Sequence, residues 1–325
     1  MSDTVLVTGG SGYIGSHCCK LLAERGITPV ALDNLSGGHE WAVRWGPLVR
    51  ADVRDAEALD EAFRRHRPSA VLHFAALIAA GESVQDPGRY YHNNVAGTLE
   101  LMEAMRRHGC GRLVFSSTAA VYGEPEDQPV REDMPRAPCN PYGAGKAMVE
   151  RAIEDYASAY GLEYAVLRYF NAAGADPDGE LGEAHDPETH LVPLCILAAL
   201  GRREDVRILG TDYPTPDGTC LRDYIHVTDL AEAHLLALEH MAAGKGSVTL
   251  NLGTSTAWSV RQVVDVVRRV SGRDFPVVEG PRRPGDMPEL RADASLAREV
   301  LGWRPRYEAI EAIVETAWKW HAGRE

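Results

Sequence analysis

The sequence has 325 residues and lacks any apolar run of about 18 or more, so no membrane-spanning segment is expected. Its first residues lack the charged region, apolar region and cleavage site of a secretory signal, so we expect none. Acidic residues outnumber basic ones by 47 to 34, and the formal net charge of −13 argues against a chain-wide basic surface. We therefore expect a cytoplasmic protein with no nucleic-acid or membrane partner.

Cysteine is also scarce. The six cysteines form no CxxC pair and show no spacing typical of a disulfide framework, so free thiols are expected. Cysteine and histidine spacings fit no tetrahedral zinc site, so no metal is expected. The sequence has no internal repeat and no low-complexity tract. Apolar residues make up 45% and charged residues 25%, which is typical of a folded globular protein.

Short β-branched runs alternate with amphipathic stretches through the first half of the chain. This alternation predicts βαβ crossovers and a doubly wound parallel sheet in an α/β fold. The runs are apolar on both faces, as a sheet covered by helices requires. The predicted strands are 5–8, 29–32, 48–52, 70–74, 112–116 and 164–169. The predicted helices of this half are 13–25, 55–66, 88–108 and 142–160.

The pattern changes after about residue 171. The second half predicts helices over 191–200, 228–241, 260–270 and 307–321, with short strands near 206–209, 223–226 and 248–252. Loops rich in Gly, Asp and Pro cover 171–187, 210–220 and 280–288, and long loops of this kind are candidates for substrate contacts. We predict a sheet domain over 1–172 and a smaller mixed α/β domain over 173–325, with segments near 222–250 returning to the first domain.

A glycine-rich loop joins the first predicted strand to the first predicted helix. Gly9, Gly12 and Gly15 have the spacing GxxGxxG. Glycines allow a tight turn and close approach to a pyrophosphate, while the helix N-terminus supplies N–H donors. A plain tight turn is the alternative, but the position between strand and helix favours a dinucleotide-binding site.

The second cofactor signal is Asp33, which ends the second predicted strand. A carboxylate there accepts hydrogen bonds from the adenosine ribose hydroxyls and repels a 2′-phosphate, so NAD is favoured over NADP. A turn or N-cap aspartate is the alternative. Asp52 and Val53, after the third strand, are placed to hold the adenine edge, and residues 74–78 to line the middle of the cofactor.

Tyr142 and Lys146 lie at positions i and i+4 of a predicted helix and therefore share one face. A lysine cation favours the phenolate and lowers the pKa of the tyrosine, which creates a proton acceptor for a sugar or alcohol hydroxyl. Thr118 follows the fifth strand and is placed to donate or relay a proton. Taken singly, the alternatives are a solvated helix face and a hydroxyl bonded to backbone.

Seven segments together carry a family resemblance. They read GGSGYIGSH, ALDNLSGG, HFAALIAAGESV, FSSTAAVYG, NPYGAGK, RYFNAAGA and LRDYIHVTDLAEAH. The set resembles the extended short-chain dehydrogenase/reductase family and, within it, most closely the UDP-glucose 4-epimerase family. The match runs from about residue 4 to beyond residue 300.

This resemblance implies a Rossmann domain that binds NAD tightly and recycles it in each turnover. Tyr142 takes the proton of the sugar 4-hydroxyl, hydride passes from C4 to the nicotinamide, and the 4-keto sugar turns and is reduced on its other face. The implied reaction interconverts UDP-glucose and UDP-galactose. The resemblance also implies a homodimer formed through helices 88–108 and 146–160.

The family's site residues are carried over position by position. The implied cofactor contacts are Gly9, Gly12, Tyr13, Ile14, Gly15, Asp33, Asn34, Leu35, Ser36, Asp52, Val53, Phe74, Ala75, Ala76, Ile78, Asn93, Ser116, Tyr142, Lys146 and Phe170. The implied UDP-sugar contacts are Thr118, Tyr142, Asn171, His190, Leu191, Leu209, Arg222, Arg283, Asp286 and Leu290. A guanidinium suits a diphosphate, whereas a surface salt bridge is the alternative for either arginine.

Two positions bear on the substrate. Ile78 stands where some family members have a lysine near the nicotinamide ribose. Leu290 falls where the resemblance places a residue that limits the sugar pocket, and its intermediate size leaves UDP-N-acetylhexosamines open beside UDP-glucose and UDP-galactose.

A 4,6-dehydratase is disfavoured because Ala119 and Ala120 replace the acidic pair of those enzymes. Epimerisation of a UDP-pentose or UDP-uronate and a non-catalytic NAD sensor remain alternatives.

Overall fold

The computed structural model describes residues 4–283 and 286–324, so residues 284 and 285 of the predicted loop 280–288 lie outside the described residues. The strands are β1 Thr4–Thr8, β2 Thr28–Asp33, β3 Leu48–Arg50, β4 Ala70–His73, β5 Arg112–Thr118, β6 Glu163–Tyr169, β7 Asn171–Ala173, β8 Val206–Leu209, β9 Leu221–His226, β10 Val248–Leu252, β11 Ala257–Ser259, β12 Val277–Gly280 and β13 Glu289–Leu290. The α-helices are α1 Tyr13–Glu24, α2 Ala56–His66, α3 Ala80–Gln85, α4 Pro87–Tyr90, α5 Gly97–Arg107, α6 Pro141–Tyr160, α7 Leu191–Ala199, α8 Val227–Ala242, α9 Val260–Ser271, α10 Ser295–Leu301 and α11 Ile310–Ala322.

The central element is a seven-stranded sheet in the order β10-β6-β5-β4-β1-β2-β3. Every neighbouring pair in it is parallel. The predicted doubly wound parallel sheet is therefore confirmed. Its carboxyl edge collects the loops that follow β1, β2, β4 and β5, and these loops carry most of the predicted cofactor contacts.

Helices cover both faces of this sheet, which explains why its strands are apolar throughout. Alternate residues of β1 enter different clusters, since Val5 and Val7 pack with α1 and α8 whereas Leu6 packs with α2, α5 and α6. All five residues of β1 are buried. The two cores hold the carboxyl edge of the sheet in a fixed position. None of the helices within residues 4–283 and 286–324 is both long and apolar enough to cross a membrane.

The second half forms a smaller layered unit. Strand β9 pairs antiparallel with β11 and parallel with β13 and β7, while β8 and β12 form a separate parallel pair. Helices α7, α9 and α11 pack together over a third cluster that includes Val192, Val263 and Ile313. Strand β10 lies in the seven-stranded sheet rather than in this unit. The domain boundary near residue 172 stays a prediction.

The predicted helix 88–108 differs from the structure. It consists of α4, a π-helical turn over Tyr91–Ala96 and α5. Hydrophobic periodicity identifies the helical stretch but not a local change of hydrogen-bond register, because the apolar positions still fall on one face. The structure also contains elements that the sequence did not predict, namely α3, α10, β7, β11, β12 and β13. These are short, and most depend on partners distant in the chain.

Candidate active site

The glycine-rich loop turns tightly between β1 and α1. Gly9 has φ of 70°, and a Cβ atom there would lie 2.7 Å from the backbone nitrogen of Ala75. Gly12 is the N-cap of α1 and provides no side chain to accept from the first N–H groups of that helix. The loop therefore presents N–H donors and lies against the segment after β4, as a pyrophosphate cradle requires.

The Asp33 carboxylate is fixed between two backbone donors. Its Oδ2 accepts from the Ser11 N–H at 3.1 Å, and its Oδ1 accepts from the Leu35 N–H at 2.8 Å. Leu35 has φ of 60°, the left-handed conformation that the turn after β2 requires. Asp33 is thus tied to the glycine loop and held at the edge where β1 and β2 end.

Asp52 lies beside the turn after β2. It accepts from Asn34 Nδ2 at 2.8 Å and pairs with Arg54 at 2.7 Å. The Arg54 guanidinium holds the pKa of the Asp52 carboxyl well below its ordinary value, so Asp52 is ionised. The sequence did not identify Arg54 as part of this group. The side chain of Val53 packs in the core beneath Asp52.

The segment after β4 is anchored by Asn94, a residue of the π-helical turn that the sequence did not identify. Asn94 Oδ1 accepts from the Leu77 N–H at 2.8 Å, and its Nδ2 donates to the Leu77 carbonyl at 2.9 Å. Asn93 donates to the same Asn94 Oδ1 at 2.9 Å. Ile78 follows this anchor and its side chain is about half exposed. Asn94 thereby ties the π-helical turn to the segment after β4, and Asn93 supports this contact through Asn94 Oδ1.

The predicted acid–base residues come together where β5 and α6 meet. Lys146 donates from Nζ to the Ser116 carbonyl at 2.7 Å and lies 4.7 Å from the centre of the Phe115 ring. Tyr142, one turn earlier, donates its backbone N–H to Ser83 Oγ at 3.2 Å. Its hydroxyl contacts Thr118, which ends β5. Asn140 caps α6 by accepting from the Gly143 N–H at 2.9 Å, so the helix begins just before Tyr142.

Burial determines the proton affinities of this group. Burial raises the pKa of Tyr142 to about 12, opposed by its contact with Thr118. Burial lowers the pKa of Lys146 to about 7, opposed by the charge of Glu150. Burial of the phenol opposes the predicted lowering of the Tyr142 pKa by Lys146, whose Nζ group bonds to the Ser116 carbonyl.

Glu150 lies one turn beyond Lys146 and is almost fully buried. It accepts from Ser117 Oγ at 2.5 Å and from Arg168 Nη2 at 2.6 Å, and Arg136 lies 3.2 Å away. Sequence reasoning missed this network. The signal that could have found it is an acidic residue at i+4 from Lys146 on the same helix face, opposite the hydroxyls of β5.

The predicted substrate residues of the second half converge on Asp286. Its carboxylate lies 3.5 Å from Arg222 Nη2 and 3.8 Å from Arg283 Nε. Arg222 also donates to the Met287 carbonyl at 2.8 Å, which joins β9 to the segment before β13. The register of these strands pairs Leu290 with Arg222. The structure therefore brings both arginines, Asp286 and Leu290 to one region.

Other predicted substrate residues lie on separate elements. Leu290, a predicted substrate contact, and Phe170, a predicted cofactor contact, pack against the buried cluster of Val121, Tyr122 and Val130. Four further predicted substrate contacts lie where strands and helices begin or end. Asn171 begins β7, Leu209 ends β8, His190 is the N-cap of α7 and Leu191 is its first residue.

Tyr13, predicted to contact the cofactor, also links the two halves of the chain. Its hydroxyl donates to the Gly174 carbonyl at 2.6 Å, just after β7. Burial raises the pKa of Tyr13 well above its ordinary value, so the hydroxyl remains a donor. The first turn of α1 is thereby fixed to the loop that leads toward the predicted substrate residues.

Comparison with known proteins identifies the family. The model of the NAD dependent epimerase/dehydratase family matches residues 5–253. The chain belongs to this family. Membership in the NAD dependent epimerase/dehydratase family confirms the resemblance and the NAD cofactor expected from the sequence. The UDP-glucose 4-epimerase of Rhizobium meliloti (strain 1021) is 52% identical over 323 residues, covering 99% of this chain and 98% of the relative.

Solved structures of other family members have the same fold. A UDP-glucose 4-epimerase from Brucella ovis in complex with NAD matches with a TM-score of 0.95 and 51% identity, covering 97% of each chain. A UDP-Glc/GlcNAc 4-epimerase from Campylobacter jejuni matches with a TM-score of 0.86 and 39% identity, covering 98% of this chain and 99% of the other. The predicted Rossmann architecture is confirmed by these epimerase structures.

Proposed function

We propose that this chain is an NAD-dependent 4-epimerase that interconverts UDP-glucose and UDP-galactose. The observation that carries the proposal is the group of Tyr142, Thr118 and Lys146 at the same carboxyl edge of the sheet as the glycine loop and Asp33. A 4-epimerase needs a proton acceptor and a hydride acceptor on one sugar carbon. The UDP-glucose 4-epimerases that are about half identical to this chain over nearly its full length support the same activity.

The residues at the edge of the sheet fit NAD. The close approach of Gly9 to Ala75 leaves space only for a backbone without a side chain, as a pyrophosphate cradle requires. Each Asp33 oxygen accepts one backbone N–H and retains a lone pair for a ribose hydroxyl. When bound, NAD⁺ supplies the hydride acceptor, later the hydride donor, and a positive charge that favours a nearby phenolate.

The chain's own residues manage the proton. Tyr142 takes the proton of the sugar 4-hydroxyl and later returns it on the opposite face of the ring. Thr118 contacts the phenol and is placed to relay that proton. Lys146 is held beside this region by the bond from its Nζ to the Ser116 carbonyl.

Arg222 and Arg283 are proposed to bind the diphosphate of the UDP-sugar. Asp286 orients both guanidinium groups, and the bond of Arg222 to the Met287 carbonyl fixes the first. Leu290, in register with Arg222, is proposed to limit the space for the sugar. The side-chain size at position 290 then controls whether an N-acetyl group is accepted.

The test is an assay with UDP-galactose, coupled to a UDP-glucose dehydrogenase and followed by identification of the product. The expected result is NADH formation at a rate that rises with enzyme concentration in the coupled assay, and UDP-glucose as the product when the coupling enzyme is left out. If NAD is found tightly bound but no UDP-sugar is converted, the chain is a sensor and the proposal is wrong. UDP-pentoses and UDP-uronates in the same screen test the alternative substrates.

A second assay addresses the sugar specificity. Wild-type protein and Leu290→Tyr are compared for kcat/KM with UDP-galactose and UDP-N-acetylgalactosamine. The larger side chain is expected to lower kcat/KM for UDP-N-acetylgalactosamine about 10-fold or more while turnover of UDP-galactose persists. If kcat/KM changes equally for both sugars, Leu290 does not determine the sugar specificity.

We also propose a homodimer formed through α5 and α6. These helices pack together and expose large apolar side chains, since Leu99 is 36%, Met148 52% and Tyr160 58% exposed. Met148→Asp is expected to give a monomer by light scattering. Val278→Asp is the control, because Val278 is 46% exposed on β12, away from these helices. A cytoplasmic location stays a prediction from the sequence.

A further inference from the structure

The segment between β7 and α7 brings two carboxylates and two imidazoles together. Glu183, His185, Glu188 and His190 each offer one ligand atom, and these four atoms all lie within 4.8 Å of one another. In the sequence they form the pattern Glu-x-His-x-x-Glu-x-His. The expectation that the protein has no metal considered only cysteine and histidine spacing, and it passed over this mixed pattern.

The spacing of these atoms suits one small cation. His185 Nδ1 lies 3.0 Å from Glu183 Oε1 and 3.9 Å from Glu188 Oε1. His190 Nδ1 contacts the same Glu183 oxygen and lies 3.7 Å from Glu188 Oε1. Ligand atoms at about 2.0–2.1 Å from a tetrahedral zinc ion are about 3.3 Å apart, and the observed separations lie on either side of that value.

Hydrogen bonding accounts for only part of this arrangement, because His190 Nδ1 bonds to Glu183 whereas the second imidazole has no such bond in the described part of the chain. His185 Nδ1 is buried and makes no hydrogen bond within the described part of the chain, although a carboxylate oxygen lies 3.0 Å away. The geometry instead directs both Nδ1 atoms and the carboxylates toward a shared centre. The Glu183 and Glu188 side chains are 3% and 7% exposed, whereas His190 is 46% exposed and leaves a path from solvent.

We propose that Glu183, His185, Glu188 and His190 form a binding site for a divalent transition metal ion, with Zn²⁺ the best fit. Two carboxylates balance the charge of such an ion when both imidazoles are neutral. Mixed nitrogen and oxygen ligands in a group of four are typical of zinc, whereas Mg²⁺ and Ca²⁺ require more oxygen ligands.

A neighbouring acidic cluster provides the contrast. Asp176, Asp178 and Glu180 also converge, but Lys20 Nζ already lies among them at 2.8, 3.1 and 2.9 Å. An ammonium group therefore supplies the positive charge that this second cluster needs, and it offers no metal site. The Glu183 cluster contains no lysine or arginine among its ion pairs in the described residues, and its carboxylates form ion pairs only with its own two imidazoles there.

The position of the site indicates a structural role. The carbonyl of Ala184 bonds to His39 Nε2 at 2.6 Å, and the His185 ring lies with its centre 6.2 Å from that of Tyr13. His190 is the N-cap residue of α7 and is itself one of the predicted substrate contacts. A bound ion would hold this loop against the first turn of α1. This places the site away from β5 and α6, which carry Tyr142 and Lys146.

The first experiment measures metal in the full-length protein without an affinity tag. Elemental analysis of protein purified without chelator is expected to give about one zinc per chain. After treatment with dipicolinate, calorimetric titration with Zn²⁺ is expected to restore one site and to raise Tm, and Co²⁺ is expected to give the visible absorption of tetrahedral coordination. Absence of bound zinc together with absence of stoichiometric Zn²⁺ binding would overturn the proposal.

Variants test the ligand assignment. Glu183→Gln and His185→Asn are each expected to weaken Zn²⁺ binding by at least about 100-fold and to abolish the Zn²⁺-dependent rise in Tm. If buried Glu183→Gln does not fold, the more exposed His185→Asn decides the question. Asp178→Asn, in the acidic cluster occupied by Lys20, is the matched control and should bind zinc like the wild type. Wild-type affinity in His185→Asn would refute the site, and none of these readouts depends on epimerase turnover.

Discussion

At the scale of single residues, the chemistry depends on the partly buried phenol oxygen of Tyr142. Its pKa of about 12 means that the hydroxyl is neutral until a positive charge approaches, so proton removal is coupled to the charged cofactor. Lys146 loses its charge at a lower pH than an exposed lysine, because burial lowers its pKa to about 7. The residue types were evident from the sequence, whereas their proton affinities depend on burial.

Replacing Tyr142 with phenylalanine removes only that oxygen. Tyr142→Phe should fold and keep its NAD but lose about 10²- to 10⁴-fold in kcat, the usual contribution of an acid–base group. Coupled turnover of UDP-galactose and the absorbance of bound cofactor measure the two effects. Tyr156→Phe is the control, since the Tyr156 hydroxyl bonds to Glu103 and not to the site. Near-normal turnover in Tyr142→Phe would exclude the phenol as the acid–base group.

The titration of Lys146 can be observed directly because the chain has only four lysines. In the purified protein, NMR of the lysine side chains is expected to show Lys146 titrating near pH 7, with its ammonium form present below that pH. Glu150→Gln should move this titration to lower pH, because Glu150 raises the pKa of Lys146. The signal that is missing from the spectrum of Lys146→Met is assigned to Lys146. A Lys146 signal that titrates with the solvent-exposed lysines would contradict the burial argument.

At the scale of elements, the glycine loop joins local conformation to a long-range contact. Gly9 and Gly26 both have positive φ, at 70° and 75°, but only Gly9 has a neighbour in the way of a Cβ atom. Comparing alanine substitutions at these two positions therefore separates the effect of positive φ from the effect of the close contact with Ala75. The close approach to Ala75 is what the predicted cofactor site requires.

Gly9→Ala and Gly26→Ala form a matched pair. Both substitutions should destabilise the fold by about 1–2 kcal/mol, because alanine resists the left-handed region. Only Gly9→Ala should also displace the Ala75 segment and weaken NAD retention. Denaturant unfolding and the NAD content of the purified protein measure these effects. Equal NAD content in the two variants would show that the approach of Gly9 to Ala75 is not needed for cofactor binding.

Periodicity predicted the long elements well because their burial pattern is local. The prediction of 191–200 compares with α7 at Leu191–Ala199, and that of 228–241 with α8 at Val227–Ala242. Short strands such as β7 and β13 were not predicted, since each is defined by pairing with β9 rather than by its own sequence. The same limit applies to the π-helical turn, whose register shift leaves little trace in residue type.

At the scale of the whole molecule, buried neutral histidines make the fold sensitive to acid. Burial lowers the pKa of His17 and His234 to about 4, and that of His73 and His226 to about 3. The unfolded chain therefore binds more protons at these groups below about pH 6.5. Stability should fall as pH falls from 6.5 toward 4, by up to about 1.4 kcal/mol per pH unit for each histidine.

Denaturant unfolding at pH 7 and pH 5 measures this effect. The buried Asp223 partly offsets it, because its pKa is raised to about 6 and the folded state takes up that proton. In His73→Gln the difference in unfolding free energy between the two pH values should be smaller than in the wild type. Stability that does not change between pH 7 and pH 5 would show that these histidines are not neutral in the fold.

The sequence by itself determined the parallel sheet, the glycine loop, the acidic end of β2 and the Tyr142–Lys146 pair, because these depend on local periodicity and fixed spacing along the chain. Only the tertiary structure decided that Asn94 anchors Leu77, that Glu150 faces β5 and that Asp286 meets both Arg222 and Arg283. Such contacts join residues far apart in the chain. Burial, and with it the proton affinity of each group, exists only once the elements have packed.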